Sequence, residues 1–216
     1  MTLAERLRRV RAGIPPGVTL VAVSKTHPPE AIREAYAAGQ RDFGENYAQE
    51  WRHKAQVLAD LPDLVWHFIG SLQTNKARVL AGAVRWIHTV DREELALEIS
   101  RRSVQKGAVT RVLIEVNVAG EGSKSGCAPE AASRLASVVR PLPGLELRGL
   151  MCIPPAEGDP RPHFRALRRM AGELSLPDLS MGMSGDWEAA IAEGSTMVRI
   201  GTAIFGPRPP VTPRAA

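Results

Sequence analysis

Lys25 closes an otherwise apolar run, Val18-Thr-Leu-Val-Ala-Val-Ser24, so its amine is drawn toward the protein interior rather than bulk water. Desolvation and cationic neighbours disfavour the ammonium form, which makes such a lysine a nucleophile toward a carbonyl carbon. The alternative is a lysine whose stem lies on apolar surface while its amine reaches solvent, and the residue alone does not separate the two. Ser184-Gly185-Asp186 precedes a short helical pattern, and Gly201-Thr202 follows the last apolar run, Thr196-Met-Val-Arg-Ile200. Free amides at a helix start, and a glycine that lets backbone approach closely, suit a phosphate. Taken singly, Ser184 could cap its helix and Gly201 could form a turn. Taken with Lys25, they describe a site for a phosphorylated aldehyde, and pyridoxal 5′-phosphate (PLP) is the common cofactor of that kind.

Such distant segments need a scaffold that brings them to one edge. Short β-rich runs alternate with longer helical patterns along the whole chain. After an opening helix near residues 2–12, strands are predicted at 18–24, 41–43, 64–69, 84–88, 111–118, 145–150, 179–183 and 196–200. Between them, helices are predicted at 28–38, 47–60 and 72–80, from a cap at Asp91 to Gln105, from Pro129 onward, and at 162–174 and 187–193. Strands that are apolar throughout suit a parallel sheet buried on both faces. The alternation predicts an α/β fold, a single (β/α)₈ TIM barrel with an extra N-terminal helix, over residues 1–206. A doubly wound open sheet is the runner-up, and the proline-rich segment 207–216 is expected to be a loose tail. Barrels bind ligands at the C-terminal ends of their strands, where Lys25, Asn46, Ser184, Arg199, Gly201 and Thr202 fall. His67 lies within the third strand.

Composition narrows the classes further. Of 216 residues, 44% are hydrophobic and 24% charged, values of a globular domain rather than a disordered chain. No apolar run approaches the roughly 18 to 20 residues that a membrane-spanning helix needs. The start, MTLAERLRRVRAG, has leucines at helical spacing instead of the unbroken apolar segment of a secretory signal. Cys127 and Cys152 make no disulfide framework and have no ligand-type neighbours at metal spacing, so the expected compartment is the cytoplasm. The net charge of +5 comes from scattered groups such as Arg8, Arg9 and Arg11, or Arg165, Arg168 and Arg169. With only 5% aromatic residues available for stacking, these read as solvated helix faces and not as a nucleic-acid surface.

Other motifs fail on inspection. Gly182-Met-Ser-Gly-Asp186 has aspartate where a nucleophile elbow needs its second glycine. Gly120-Glu-Gly-Ser-Lys-Ser125 lacks the glycine before lysine of a phosphate loop, leaving Lys124 as a surface or mouth lysine. His53, His88 and His163 lie on separate elements and read as structural or solvated, and Met151, Met181 and Met183 read as core filler.

Several segments together resemble the pyridoxal phosphate homeostasis protein family. They are Val21-Ala-Val-Ser-Lys-Thr26, Phe43-Gly-Glu-Asn-Tyr47, Trp66-His-Phe-Ile-Gly-Ser-Leu-Gln-Thr-Asn-Lys76, Ser123-Lys-Ser-Gly126, Gly149-Leu-Met151, Leu179-Ser-Met-Gly-Met-Ser-Gly-Asp186 and Val198-Arg-Ile-Gly-Thr-Ala-Ile-Phe-Gly206. That family is similar in fold to the N-terminal barrel of alanine racemase. The resemblance implies that Lys25 forms a Schiff base with the cofactor aldehyde, that Ser184, Gly201 and Thr202 hold the phosphate, and that Arg199 approaches the pyridine nitrogen. It also places Asn46 and His67 near the ring. Gly185 departs from the acidic or polar residue often found there, but its amide remains.

Two functions follow from that resemblance. One is a cytoplasmic, monomeric PLP carrier that buffers the cofactor or supplies PLP-dependent apo-enzymes, without nucleic-acid or membrane partners. The alternative is a PLP-dependent amino-acid racemase, which needs a second acid or base on the far face of the cofactor. The only tyrosines, Tyr36 and Tyr47, lie in the first third of the chain, and no racemase-type second domain follows the barrel, so the carrier is the expectation.

Overall fold

The computed structural model describes residues 1–122 and 125–207; Lys124 and the tail from 208 onward lie outside the described residues. Strands β1 (Thr19–Val23), β2 (Asp42–Glu45), β3 (Val65–Phe68), β4 (Trp86–Val90), β5 (Thr110–Glu115), β6 (Leu145–Met151), β7 (Asp178–Ser180) and β8 (Met197–Ile200) close into a barrel in chain order. Each strand pairs in parallel with the next, and β8 returns to β1 through Thr19↔Met197 to Ala22↔Ile200. Closure replaces the open-sheet alternative and gives the expected (β/α)₈ fold.

Alternation along each strand divides inside from outside. In β1, Leu20 and Ala22 face outward and pack with Ile32 and Ala35, while Thr19, Val21 and Val23 face the barrel axis. The helical layer consists of α1 (Leu3–Ala12), α2 (Pro29–Ala37), α3 (Ala48–Val57), α4 (Ala77–Leu80), α5 (Glu93–Gln105), α6 (Pro129–Val139), α7 (Arg161–Glu173), α8 (Trp187–Ala192) and α9 (Thr202–Phe205). Thr2 and Glu5 form a reciprocal capping box that starts α1, whose Leu3, Leu7 and Val10 pack with Ile204 and Phe205 of α9. Arg6 seals that contact by donating to Ile204 O at 2.6 Å. Among the described residues no helix is long and apolar enough to cross a membrane.

Several boundaries differ from expectation for local reasons. Strand β5 stops at Glu115 rather than Val118, because the Asn117 and Cys127 amides donate across a loop, to Cys127 O and Glu115 O. The helix expected at 72–80 is a 3₁₀ turn, Thr74–Lys76, followed by the single turn of α4. Asp91 is not a cap: Arg92 occupies that position, and the Asp91 carboxylate accepts from the Arg92 guanidinium at 2.6 Å. Helix α9 was not expected at all, since four residues are too few to show a helical period.

Candidate functional site

At the C-terminal ends of the strands a cavity of about 300 Å³ is lined by Lys25, Asn46, Ser184, Gly185, Arg199, Gly201 and Thr202, with Val23, Ile69, Ile153 and Met183 as apolar walls. Residues from both ends of the sequence meet there because β8 lies beside β1. Lys25 continues the inward series Thr19, Val21, Val23, two residues beyond the last strand position.

Both neighbours of Lys25 are held by a buried charge network. Ser24 Oγ donates to Glu45 Oε1 at 2.6 Å, and Ser24 O accepts from Lys54 Nζ at 2.7 Å. Lys54 also reaches Glu45 and Glu50 at 2.7 Å, although only 2% of its side chain is exposed. On the other side, the Thr26 amide donates to Glu50 Oε1 at 2.6 Å, and Thr26 has φ of 66°, a left-handed conformation that a β-branched residue adopts only under constraint. The strained backbone next to Lys25 is therefore held in place by α3. Burial pushes the Glu45 carboxyl up to about 7, against the opposing pull of Lys54.

Asn46 reaches the cavity from the end of β2, and its buried Oδ1 has no hydrogen-bond partner within the protein. Gly70 abuts the Asn46 backbone so closely that a Cβ there would collide with Asn46 O. At Gly201 a Cβ would lie 3.1 Å from Val23 O, so glycine permits the tight approach of β8 to β1 at the mouth. Gly201 N-caps α9, whose first amides have no intrahelical acceptor. Ser184 does not cap α8: Asp186 holds that position, and its carboxylate accepts from the Met183 amide.

Arg199 is buried. Its Nη1 donates to Ser180 Oγ at 2.6 Å, its Nη2 to Cys152 O at 2.9 Å, and its own amide to Gly182 O at 2.9 Å. Glu115 is also buried, with Oε2 unpartnered; burial first, then Asp91, pushes its carboxyl up to about 7, while Arg199 pulls it down.

A folded carboxyl above its unfolded value contributes stability at low pH, and that contribution is lost as pH rises from about 4.5 to about 7. Glu115→Gln should thus gain on the order of 3 kcal/mol over wild type at pH 8 and almost nothing at pH 4. Urea unfolding at the two pH values would show this, and a variant equally shifted at both would contradict it.

His67 does not line this cavity. Strand β3 places Val65, His67 and Ile69 on the inner face, and Ile69 reaches the mouth, so His67 sits one inward layer lower. It lines instead a cavity of about 870 Å³ at the opposite, N-terminal end of the barrel, together with Asp42, Trp86 and Arg111. Met183 also departs from expectation: it is 36% exposed and forms a wall of the mouth cavity, whereas Met151 and Met181 are core residues. Lys54 is not among the residues the sequence motifs point to, and its only sequence signal is its position. It occupies a core position of α3, at Trp51, Lys54, Leu58 spacing, where an apolar residue belongs.

Burial pushes the thiols of Cys127 and Cys152 up to about 11 and about 12, values at which neither is a nucleophile at neutral pH. Among the described residues no group of His, Cys, Asp and Glu could hold a metal ion.

The chain is 49% identical over 222 residues to the pyridoxal phosphate homeostasis protein of Pseudomonas aeruginosa, covering 96% of each. It belongs to the pyridoxal phosphate homeostasis protein family. The model of the alanine racemase N-terminal domain matches residues 1–209 of this homeostasis-family chain. PipY of Synechococcus elongatus with PLP bound superposes with a TM-score of 0.89 at 42% identity, over 95% of this chain and 100% of PipY. Alanine racemase of Clostridium difficile 630 shares the fold alone, with a TM-score of 0.75 at 15% identity over 97% of this chain and 57% of the racemase. In this family member neither Tyr36 nor Tyr47 lines the mouth: Tyr36 stacks under Arg41, and Tyr47 is 58% exposed.

Proposed function

We propose that this protein binds PLP at the barrel mouth and serves in intracellular vitamin B6 homeostasis, buffering or supplying the cofactor without a turnover reaction of its own. One observation carries the proposal: an amine, a guanidinium, an amide oxygen lacking a partner and two hydroxyl-bearing loops converge on a single cavity of about 300 Å³. The donor set fits the cofactor. PLP supplies an aldehyde, a pyridine ring and a phosphate dianion when bound.

Lys25 contributes the amine that links to the aldehyde carbon, with the aldehyde oxygen leaving as water. Ser184, Gly201 and Thr202 receive the phosphate through hydroxyls and the first amides of α9. Asn46 Oδ1 accepts a hydrogen bond from the bound molecule, which removes the cost of an unpaired buried oxygen. Arg199 has donors only, so it discourages protonation of a ring nitrogen placed beside it and weakens the ring as an electron sink. That chemistry suits holding and exchange better than carbanion formation.

Residues 1–206 then act as one cofactor-binding unit, a cytoplasmic monomer whose recipients are PLP-dependent apo-enzymes. Ion pairs disperse its basic residues, as with Arg101 and Arg102 on Glu98 and Arg165 on Glu193, which supports the absence of a nucleic-acid or membrane partner.

The Ser184→Ala/Thr202→Ala double variant tests the phosphate site. Each charge-assisted bond contributes roughly 1.5 to 3 kcal/mol, so the Kd for PLP should rise about a hundredfold or more. Equilibrium titration followed by absorbance measures it, and wild-type affinity in the double variant would remove the phosphate assignment. Holo-protein incubated with a panel of amino acids should show no steady-state racemisation on chiral analysis.

A further inference from the structure

A line of hydrogen bonds crosses the barrel interior from the mouth to the opposite end. Arg199 Nη1 lies 2.6 Å from Ser180 Oγ, and His88 Nδ1 lies 2.9 Å from the same hydroxyl. His88 Nε2 is 3.0 Å from His67 Nδ1, and His67 Nε2 is 3.0 Å from Asp42 Oδ1. Both rings and Ser180 are fully buried. Asp42 is 31% exposed in the large cavity at the barrel floor. It stands four residues below Asn46 on β2, a separation of about 13 Å along an extended strand.

The Asp42 end fixes the direction of every bond. An ionised Asp42 can only accept, so His67 carries its proton on Nε2. A neutral His67 then has a bare Nδ1, which requires His88 to donate from Nε2. His88 in turn has a bare Nδ1, which accepts a hydrogen bond from the Ser180 hydroxyl, and the Ser180 oxygen is left to accept from Arg199, a group with donors only. Burial lowers the proton affinity of both rings, which agrees with two neutral histidines between a cation and an anion.

We propose that Asp42, His67, His88 and Ser180 are positioning residues for Arg199: a one-way chain of donors, anchored by the Asp42 carboxylate at the barrel floor, fixes which edge of the guanidinium faces the mouth cavity. The chain is a property of the protein itself. Its consequence for the cofactor rests on the PLP reading above. A change at the floor, where solvent and small molecules have access, is thereby felt at the opposite end of the barrel.

Long-range ¹H–¹⁵N spectra of the full-length, ¹⁵N-labelled protein without added PLP test the chain directly. His67 and His88 should both be neutral, each protonated on Nε2 and bare at Nδ1. Asp42→Ala should lose the single tautomer at both rings and shift the Arg199 side-chain resonances, whereas Asp42→Asn, whose Oδ1 still accepts, should restore the wild-type pattern. Should Asp42→Ala not fold, Ser180→Ala tests the other end: both rings should keep the Nε2 tautomer that Asp42 sets, while His88 Nδ1 and the Arg199 side chain lose their shared partner and their resonances shift. A protonated Nδ1 on either ring, or unchanged ring and Arg199 resonances in the alanine variant, would overturn the proposal. On adding PLP, Ser180→Ala and Asp42→Ala should shift the absorbance maximum of the bound cofactor, and Asp42→Asn should not. An unshifted maximum in the alanine variants would overturn the coupling to the mouth. Failure of the wild-type protein to bind PLP would defeat the functional reading and leave the tautomer result standing.

Discussion

Lys25→Ala is expected to lose covalent attachment of PLP completely. Wild-type protein mixed with PLP and reduced with borohydride should gain one cofactor mass, which peptide mapping places at residue 25. The alanine variant should gain none and should lack the visible absorbance of the linked cofactor. Weak binding should survive in it, because Ser184, Gly201, Thr202 and Arg199 still line the cavity. The effect is all-or-none because, among the described residues, Lys25 is the only lysine lining the mouth. A Lys25→Ala protein with the wild-type band and a reduced adduct would end the assignment.

The second large effect is on folding. Lys54→Met leaves Glu45, with no exposed side-chain surface, and the partly buried Glu50 without their shared cation. Breaking a buried pair from one side costs about 3 to 5 kcal/mol, because an uncompensated charge remains inside. The denaturation midpoint at pH 8 should fall accordingly. The penalty should shrink toward pH 5, since Glu45 already titrates up to about 7 with Lys54 in place and rises further without it. At low pH the carboxyl is protonated in both folded and unfolded chains, so little is lost. Glu45→Gln combined with Lys54→Met should recover much of the midpoint, as neutral replacements of a buried pair commonly do. Because Lys54 and Glu50 pin Ser24 and Thr26, the single variant should also slow adduct formation at Lys25. A wild-type midpoint at pH 8 would show that the network holds no charge worth pairing.

The chain of bonds to Arg199 and the clamp around Lys25 share a design. Each functional group at the mouth is held by polar residues one layer further in, on rigid strands or on the helix packed behind them. The mouth itself is made of loops and strand ends, where small backbone shifts would otherwise blur its geometry.

The amino-acid sequence by itself determined the barrel and most of its mouth. Apolar runs alternating with helical periods dictate eight parallel strands, and the parallel arrangement sends every strand end to one face. Lys25, Asn46, Ser184, Arg199, Gly201 and Thr202 were legible for that reason. Tertiary structure alone decided depth and partnership. Whether His67 reached the mouth or stopped a layer below it depended on where β3 ended, and a shift of two residues along a strand moves a side chain about 6.6 Å. Glu45 with Lys54, and His88 with Ser180, are pairs brought together by the closed sheet and its packed helices from positions 9 and 92 residues apart. No local pattern encodes such meetings, because hydrogen bonds between side chains act over about 3 Å of space and are indifferent to distance along the chain.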